Sequence, residues 1–365
     1  MSSGAFAVLE VPRETPPDPQ EYLQAVIAWH FGEDTGSPFW LRAVSRLDFD
    51  PIRDVRTYDD LRLFPNLVDQ LRNVAVEDLI PRGYGHPLPI PRIFESGGTT
   101  GPPKRTAQLP DWIEQVTRWQ VEDFSAGGFA PGTGLLCMMP GGPHGVSHFD
   151  RVVAERLGAA FHAIDLDPRW VKKVASRGDR AAGDEIARYV RHVLEQARHI
   201  LETQNVANLH ATPPLLEAIA NDERLTELVN RRIRYILLSG AHVDIDTMGL
   251  FRDIFPDASI AIAFGSTMIL SQTATRIVGD ASVFDPRSPY VVFWVVDPDT
   301  GAQVAYGERG QVVMNHLSKG MFIPNNLERD TAIRWPGPEG QVGDSLSDIA
   351  PVAVFDGEPV IEGVY

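Results

Sequence analysis

The 365-residue sequence holds a single cysteine, Cys137. An intramolecular disulfide is therefore excluded, and the chain suits a reducing compartment, so a cytoplasmic location is expected. Long hydrophobic runs are missing too. No stretch reaches the roughly 18 apolar residues of a membrane-spanning helix, and no membrane partner is expected. The opening "MSSGAFAVLEVPRETPPDP" lacks the basic end and long apolar run of a signal peptide. Positive charge is in deficit: 33 Lys and Arg against 49 Asp and Glu leave a net charge of −16. Such a chain repels the repeated phosphates of a nucleic acid. No nucleic-acid partner is expected, and any nucleotide it binds should be small and held by local donors. Internal repeats and low-complexity tracts are absent.

What is present is enough apolar material, 43% of residues, to bury a large core. Residues 1–90 read as mostly helical with proline-rich breaks. "PQEYLQAVIAWHF" and "YDDLRLFPNLVDQLRNV" both carry apolar residues at helical spacing. "PRGYGHPLPIPRI" is a proline-rich connector, and "LPDWIEQVTRWQVEDF" an amphipathic helix. "GLLCMMP" reads as a short buried strand followed by the turn "GGPHGVSHFD". A long helix is expected over "GDEIARYVRHVLEQARHILETQNV", with Ile186, Val190, Val193, Ala197, Ile200 and Leu201 on one side. "RYILLSG" and "ASIAIAFGS" look like buried parallel strands that each end in glycine. From Ser288 onward strands alternate with Gly/Asp turns. The pattern predicts a single α/β unit over 1–365: a helical part at 1–90, an α/β core at 91–285 and a β-rich part at 286–365.

The stretch Pro91–Gln108, "PRIFESGGTTGPPKRTAQ", is the most informative. Glycines reach positive φ without steric cost, so the N–H groups of Ser96 to Gly101 can converge on an anion. Thr hydroxyls add donors and Lys104 adds a point charge. The spacing is neither that of the Walker loop nor that of the Rossmann fingerprint.

The stretch resembles the phosphate loop of the adenylate-forming (ANL: acyl/aryl-CoA ligase, adenylation domain, luciferase) superfamily. That loop reads Ser/Thr-Ser-Gly-Thr-Thr-Gly-x-Pro-Lys. Ser96, Gly98, Thr99, Thr100, Gly101, Pro103 and Lys104 match it, and Gly97 replaces a usual Ser. Further segments follow in the family's order. "HATPPLLEAI" resembles the Thr-Pro segment that opens a substrate-side helix. "LLSGAHVD" resembles the Gly-Gly-Ala-Pro segment lying against adenine, which assigns Ser239, Gly240 and Ala241 there. "AFGSTM" resembles Tyr-Gly-x-Thr-Glu, which assigns Phe264, Gly265 and Ser266 to the adenine side and Thr267 to the α-phosphate. "MFIPNNLERDTA" stands where the ribose-binding Asp is expected. That makes Asp330 the candidate, with Asp344 in "VGDSL" as runner-up, the latter expected at the surface. His144 or His148 falls where relatives place an aromatic or His gate beside the reacting carboxylate. Trp112, Trp119, Phe149 and Phe264 could flank a planar ring.

The resemblance implies the adenylate-forming large-domain fold, with two α/β sheet subdomains and a β-rich C-terminal subdomain. The family's small mobile domain and its lysine are not expected within this chain. It also implies ATP-dependent activation of a carboxylate as its acyl-adenylate, with ATP or AMP bound and Thr267, Lys104 and His144 as the catalytic set. The family's magnesium-ligating Glu is replaced by Met268, a poor ligand for a hard cation. Mg2+ is thus expected mainly on the nucleotide phosphates, with Glu95 as a further candidate, and no protein metal set is assigned. The short length is similar to the adenylating proteins of phenazine antibiotic pathways (the D-alanylgriseoluteic acid type). They imply an aromatic, phenazine-type acid, a partner reductase or other acyl acceptor, and a homodimer as the oligomer considered. Two alternatives stay open. One is an impaired nucleotide- or aromatic-acid-binding protein. The other is an acyl-transfer protein acting through Cys137, like the bioluminescence acyl-protein synthetase.

Overall fold

The structure, a computed structural model, describes residues 6–97 and 102–352, with the backbone of 354–355 and 358–359. A hairpin of β1 Arg92–Glu95 and β2 Arg105–Gln108 comes first among the strands. It pairs antiparallel, with Glu95 opposite Arg105. Next, β3 Gly134–Met138, β4 Phe161–Ala163, β5 Val206–Ala211, β6 Tyr235–Leu238 and β7 Ser259–Ile262 form one sheet. All its neighbours run parallel, in the order β4-β3-β5-β6-β7. Every residue of β3, β5 and β6 is buried, as a sheet covered on both faces requires.

The covering helices carry the apolar stripes that bury it. On one face Val193, Ala197 and Leu201 of the helix Arg180–Thr203 recur at intervals of four and pack with Leu216, Val229 and Phe251 from three further helices. On the other face the helices Pro110–Gly127 and Gly145–Arg156 bring Phe124 and Val153 against Leu135, Tyr235 and Leu237.

A small ribbon of β8 Gly265–Ser266 and β9 Ser271–Gln272 leads into the second sheet. Its strands are β10 Ala274–Val278, β11 Ala281–Asp285, β12 Val291–Val296, β13 Arg309–Leu317, β14 Phe322–Trp335 and β15 Ser345–Pro351. It is antiparallel, in the order β10-β11-β15-β14-β13-β12. The α/β class with a β-rich C-terminal part is therefore present, as one five-stranded parallel sheet and one six-stranded antiparallel sheet beside the two-stranded ribbons among the described residues.

The N-terminal helices are fastened to the turn between β13 and β14. Tyr22 Oη donates to the Leu317 carbonyl at 2.8 Å, Trp29 Nε1 to Lys319 at 2.9 Å and Trp40 Nε1 to Phe322 at 3.0 Å. These three tryptophan and tyrosine anchors pack in the same core as Phe31, Phe64 and Phe322.

Two local expectations are corrected. "YDDLRLFPNLVDQLRNV" is not one helix but two 3-10 turns, Tyr58–Leu63 and Val68–Arg72. Pro65 supplies no N–H and forces Phe64 out to ψ 135°, which ends the first turn. The "GGPHGVSHFD" segment is a turn only to His144; from Gly145 it is a helix that buries Phe149, Asp150 and Val153. Among the described residues no helix is long and apolar enough to cross a membrane.

Candidate functional site

In an open α/β sheet the loops at the carboxyl ends of the strands form the ligand crevice. Here those ends bring together Met139 and Pro140 after β3, Thr212 after β5, Ser239 and Gly240 after β6, and Ala263 to Thr267 after β7. The antiparallel sheet closes the crevice from the other side with Glu328, Arg329 and Asp330 of β14. Between β14 and the ends of β6 and β7, at Gly240 and at Ala263 to Thr267, lies a cleft of about 730 Å3. Of the residues singled out in the sequence, Ser96, Lys104, Gly240, Ala241, Phe264, Gly265, Ser266, Thr267 and Asp330 all line it. Gly98, Thr99, Thr100 and Gly101 lie outside the described residues.

The β1–β2 hairpin positions the first group. The Ser96 N–H donates to the Lys104 carbonyl at 2.9 Å, and the Lys104 N–H donates to Ser96 Oγ at 3.0 Å. The two ends of the Gly/Thr loop are thereby clamped side by side. Lys104 Nζ lies 3.5 Å from the Asp69 carboxylate, which holds the ammonium at the cleft wall. Glu95 is committed elsewhere. One of its oxygens accepts from Arg105 at 2.9 Å and the other from Arg169 at 2.8 Å. Burial raises the Glu95 carboxyl, but the two arginines outweigh it and hold it below the usual carboxylate range.

The strand ends set the opposite wall. Gly240 has φ +85°, a left-handed conformation that lets the chain leave β6 sharply. At Gly265 a Cβ would stand 3.1 Å from the Ser271 carbonyl, so a larger residue there would press on the β8–β9 ribbon. Phe264 is half-buried, packed against Phe284 and Phe293 at ring-centroid distances of 5.9 and 6.3 Å. Asp330 and Asp344 separate cleanly. Asp330 borders the cleft, whereas Asp344 is buried, against the expectation of a surface residue. It accepts from Arg334 Nε at 2.8 Å and from the Val295 N–H at 3.1 Å. Gly343, at φ +82°, turns the chain inward to place it there.

A second, smaller cavity of about 220 Å3 adjoins the cleft. The two share Gly97, Gly240 and Gly265 to Thr267. Ser239 and His144 line the smaller one, with Phe94, Phe149, Met139 and Leu270 as apolar walls. His144 is lowered to about 4, by burial first and then by Arg169 and Lys172, so its imidazole is neutral at pH 7. His148 lines neither cavity and packs on Phe94 at 5.4 Å. Trp112 belongs to the core, its Nε1 donating to the Leu270 carbonyl at 2.9 Å, and Trp119 packs edge-on against it. Of the four aromatics expected to flank a ring, Phe149 reaches the small cavity and Phe264 the cleft.

Several polar residues here escaped the sequence reading. Gln108 and Gln120 line the small cavity, both buried, each with an Oε1 that has no hydrogen-bond partner. Arg169 and Lys172 form a cationic edge beside His144. Burial, followed by the charges of Arg329 and Arg169, lowers Lys172 to about 8. Beneath the cavity, His210 Nδ1 lies 2.8 Å from Asp150 Oδ2 and His210 Nε2 lies 2.8 Å from Ser239 Oγ. The Cys137 thiol donates to the same Asp150 oxygen at 3.1 Å. The available signal was a histidine inside the buried strand "VANLHA", since a buried polar group needs a partner.

Among the described residues no group of three His, Cys, Asp or Glu is placed to hold a metal ion. Met268 is buried in the hydrophobic core, and both oxygens of Glu95 are taken by arginines. The described side chains therefore do not build a magnesium cage.

No protein-family model and no curated protein matches the sequence. Solved structures do. The chain is similar to 2-hydroxyisobutyryl-CoA ligase in complex with 2-HIB-AMP and CoA, with 19% identity and a TM-score of 0.58 over 91% of this chain and 67% of that one. The same ligase in its postadenylation state gives 18% identity and a TM-score of 0.59 over 94% of this chain and 69% of that one. The chain thus spans about two thirds of the length of the ligase. At such identity the likeness is one of architecture alone: this chain shares the fold of that ligase over 91% of its own length.

Proposed function

We propose that the protein activates an aromatic carboxylic acid as its acyl-adenylate, using ATP and releasing pyrophosphate. The observation that carries this reading is the convergence of four distant segments on one cleft: Ser96 and Lys104, Gly240 and Ala241, Phe264 to Thr267, and Asp330. They are the residues that the resemblance assigns to phosphates, adenine and ribose. In this reading Lys104 and the loop from Ser96 hold the β- and γ-phosphates, Thr267 the α-phosphate, Phe264 the adenine and Asp330 the ribose hydroxyls. The acid occupies the smaller cavity. The shared boundary at Gly265 to Thr267 is where its carboxylate meets the α-phosphorus. Attack is in line, and positioning together with charge stabilisation carries the rate. Neutral His144 serves as a hydrogen-bonding partner at that boundary rather than as a fixed cation. Mg2+ enters on the nucleotide phosphates.

Phe94 and Phe149 favour a planar acid. A cavity of about 150 Å3 suffices for benzene, so 220 Å3 suits a one-ring acid. A phenazine-type, three-ring acid would extend into the larger cleft. Acid-dependent exchange of labelled pyrophosphate into ATP, with benzoate and phenazine-1-carboxylate as two members of a panel, tests the proposal. Absence of exchange with every acid in the panel overturns it. A second reading, a protein that binds nucleotide and acid without turnover, draws support from Met268 and from the engagement of Glu95 by Arg105 and Arg169. It is selected if AMP and the acid bind and no exchange occurs.

A further inference from the structure

Asp150, His210 and Ser239 stand in one line. Asp150 and His210 are buried, and Ser239 is half-exposed at the wall of the smaller cavity. A carboxylate can only accept, so the proton sits on His210 Nδ1, 2.8 Å from Asp150 Oδ2. Nε2 is then the acceptor, 2.8 Å from Ser239 Oγ. This is the relation of nucleophile, base and orienting acid that defines a serine triad by geometry, whatever the fold. Ser239 also occupies the place such a nucleophile needs. It directly follows β6 and precedes Gly240 at φ +85°, a sharp turn at the carboxyl end of a parallel strand. Burial, and then Asp150, raise the Cys137 thiol well above its ordinary range, so it stays protonated and donates to Asp150. That bond fixes the carboxylate further. Gln108 and Gln120 line the same cavity with buried, unpartnered carbonyl oxygens, acceptors that an O–H or N–H on a bound substrate can satisfy.

We propose that Ser239 is a nucleophile that accepts the acyl group bound in the small cavity, with His210 as its base and Asp150 orienting the imidazole. The identity of the donor as an acyl-adenylate rests on the proposed adenylation. Ser239 Oγ bonds to the acyl carbon, its proton passes to His210 Nε2, and the acyl–phosphate C–O bond breaks to release AMP, which carries that proton away and leaves His210 neutral again. Water, or an acceptor hydroxyl, amine or thiol, then takes the acyl group from the serine ester. His210 receives that nucleophile's proton and returns one to Oγ. The chain would in this way complete an acyl transfer through its own serine.

A fluorophosphonate probe tests the serine without ATP or acid, because it labels a serine activated by a neighbouring imidazole. Intact-protein and peptide mass spectrometry of the full chain should place the label on Ser239. Ser239→Ala should abolish it, and His210→Gln and Asp150→Asn should each slow it at least tenfold. Thermal melts establish which variants are folded, and the wild-type peptide map decides alone if neither is. Failure of folded wild type to label at Ser239, or an unchanged rate in either folded variant, overturns the inference. The two proposals fail separately. Labelling without acid-dependent pyrophosphate exchange sinks the adenylation and keeps the serine, whereas exchange without labelling does the reverse.

Discussion

Replacing Asp344 and Asp330 in turn by alanine should produce opposite phenotypes. Asp344 is 1% exposed and its partner Arg334 is largely buried, with Nε 2.8 Å from Oδ1. Burial raises the Asp344 carboxyl while Arg334 and the Val295 N–H pull it down, so the pair is held by mutual need rather than by solvent. Removing one member of such a pair strands the other and costs about 3–5 kcal/mol. The loss in Asp344→Ala is offset somewhat by the remaining bond from Arg334 Nη1 to the Val304 carbonyl at 2.6 Å. The lower end, about 3 kcal/mol, is therefore expected. Asp330 borders the cleft, and in the proposed complex its carboxylate accepts from the ribose hydroxyls. Asp330→Ala should weaken AMP binding by roughly 1.5–3 kcal/mol, or about 10- to 150-fold, and cost less stability than Asp344→Ala. Urea denaturation reads the stability changes and titration calorimetry with AMP the affinities. With 2′-deoxy-AMP, which lacks one of the two hydroxyls, the gap between wild type and Asp330→Ala should narrow. If Asp344→Ala stays as stable as wild type but loses AMP affinity, the roles are reversed and the ribose site lies deeper in the antiparallel sheet.

Stability should fall on mild acidification. Burial lowers His30 to about 4 and His316 to about 3, so both are neutral in the fold, while in the unfolded chain each takes a proton below about pH 6.5. Their contribution is fully present above that pH and is lost as pH falls from about 6.5 through 4, at up to about 1.4 kcal/mol per pH unit for each histidine. His30→Gln should flatten the measured dependence between about pH 6 and 4.5 by close to one proton, and an unchanged slope refutes the assignment. Lys104→Ala should cost ATP about tenfold or more in affinity and AMP much less, since only ATP presents the β- and γ-phosphates; equal losses would move those phosphates away from the hairpin. Cys137, buried and with a raised thiol, should resist DTNB in the folded protein and react on unfolding. Rapid reaction in the native state would show an accessible thiol and revive an acyl-carrier role for it.

The local patterns carried much of this protein. The apolar runs "GLLCM" and "YILL" announced strands buried on both sides, and they are fully buried. "PQEYLQAVIAWHF" forms the helix Pro19–Phe31, and its start is set by Asp18, whose carboxylate accepts from the Glu21 N–H at 2.9 Å. The order of Gly-, Thr- and Asp-bearing segments pointed to the adenylate-forming large-domain fold. Those signals are local: period, caps and turn residues act over a few positions and survive in a linear string. Where a local rule was hidden, the reading slipped, as at Pro65 inside an otherwise helical spacing. The choice between Asp330 and Asp344 had no local answer, because both sit among turn residues and polar neighbours. The tertiary structure separates them, with Asp330 at the cleft and Asp344 buried on Arg334. The same is true of Asp150, His210 and Ser239, which come from a helix, a strand and a strand end 60 and 29 residues apart. Sequence determined which strands, helices and turns could form. Only the parallel order of β3, β5 and β6 brought those three side chains to one point, since hydrogen-bond distance between remote residues is a property of sheet topology and not of spacing along the chain.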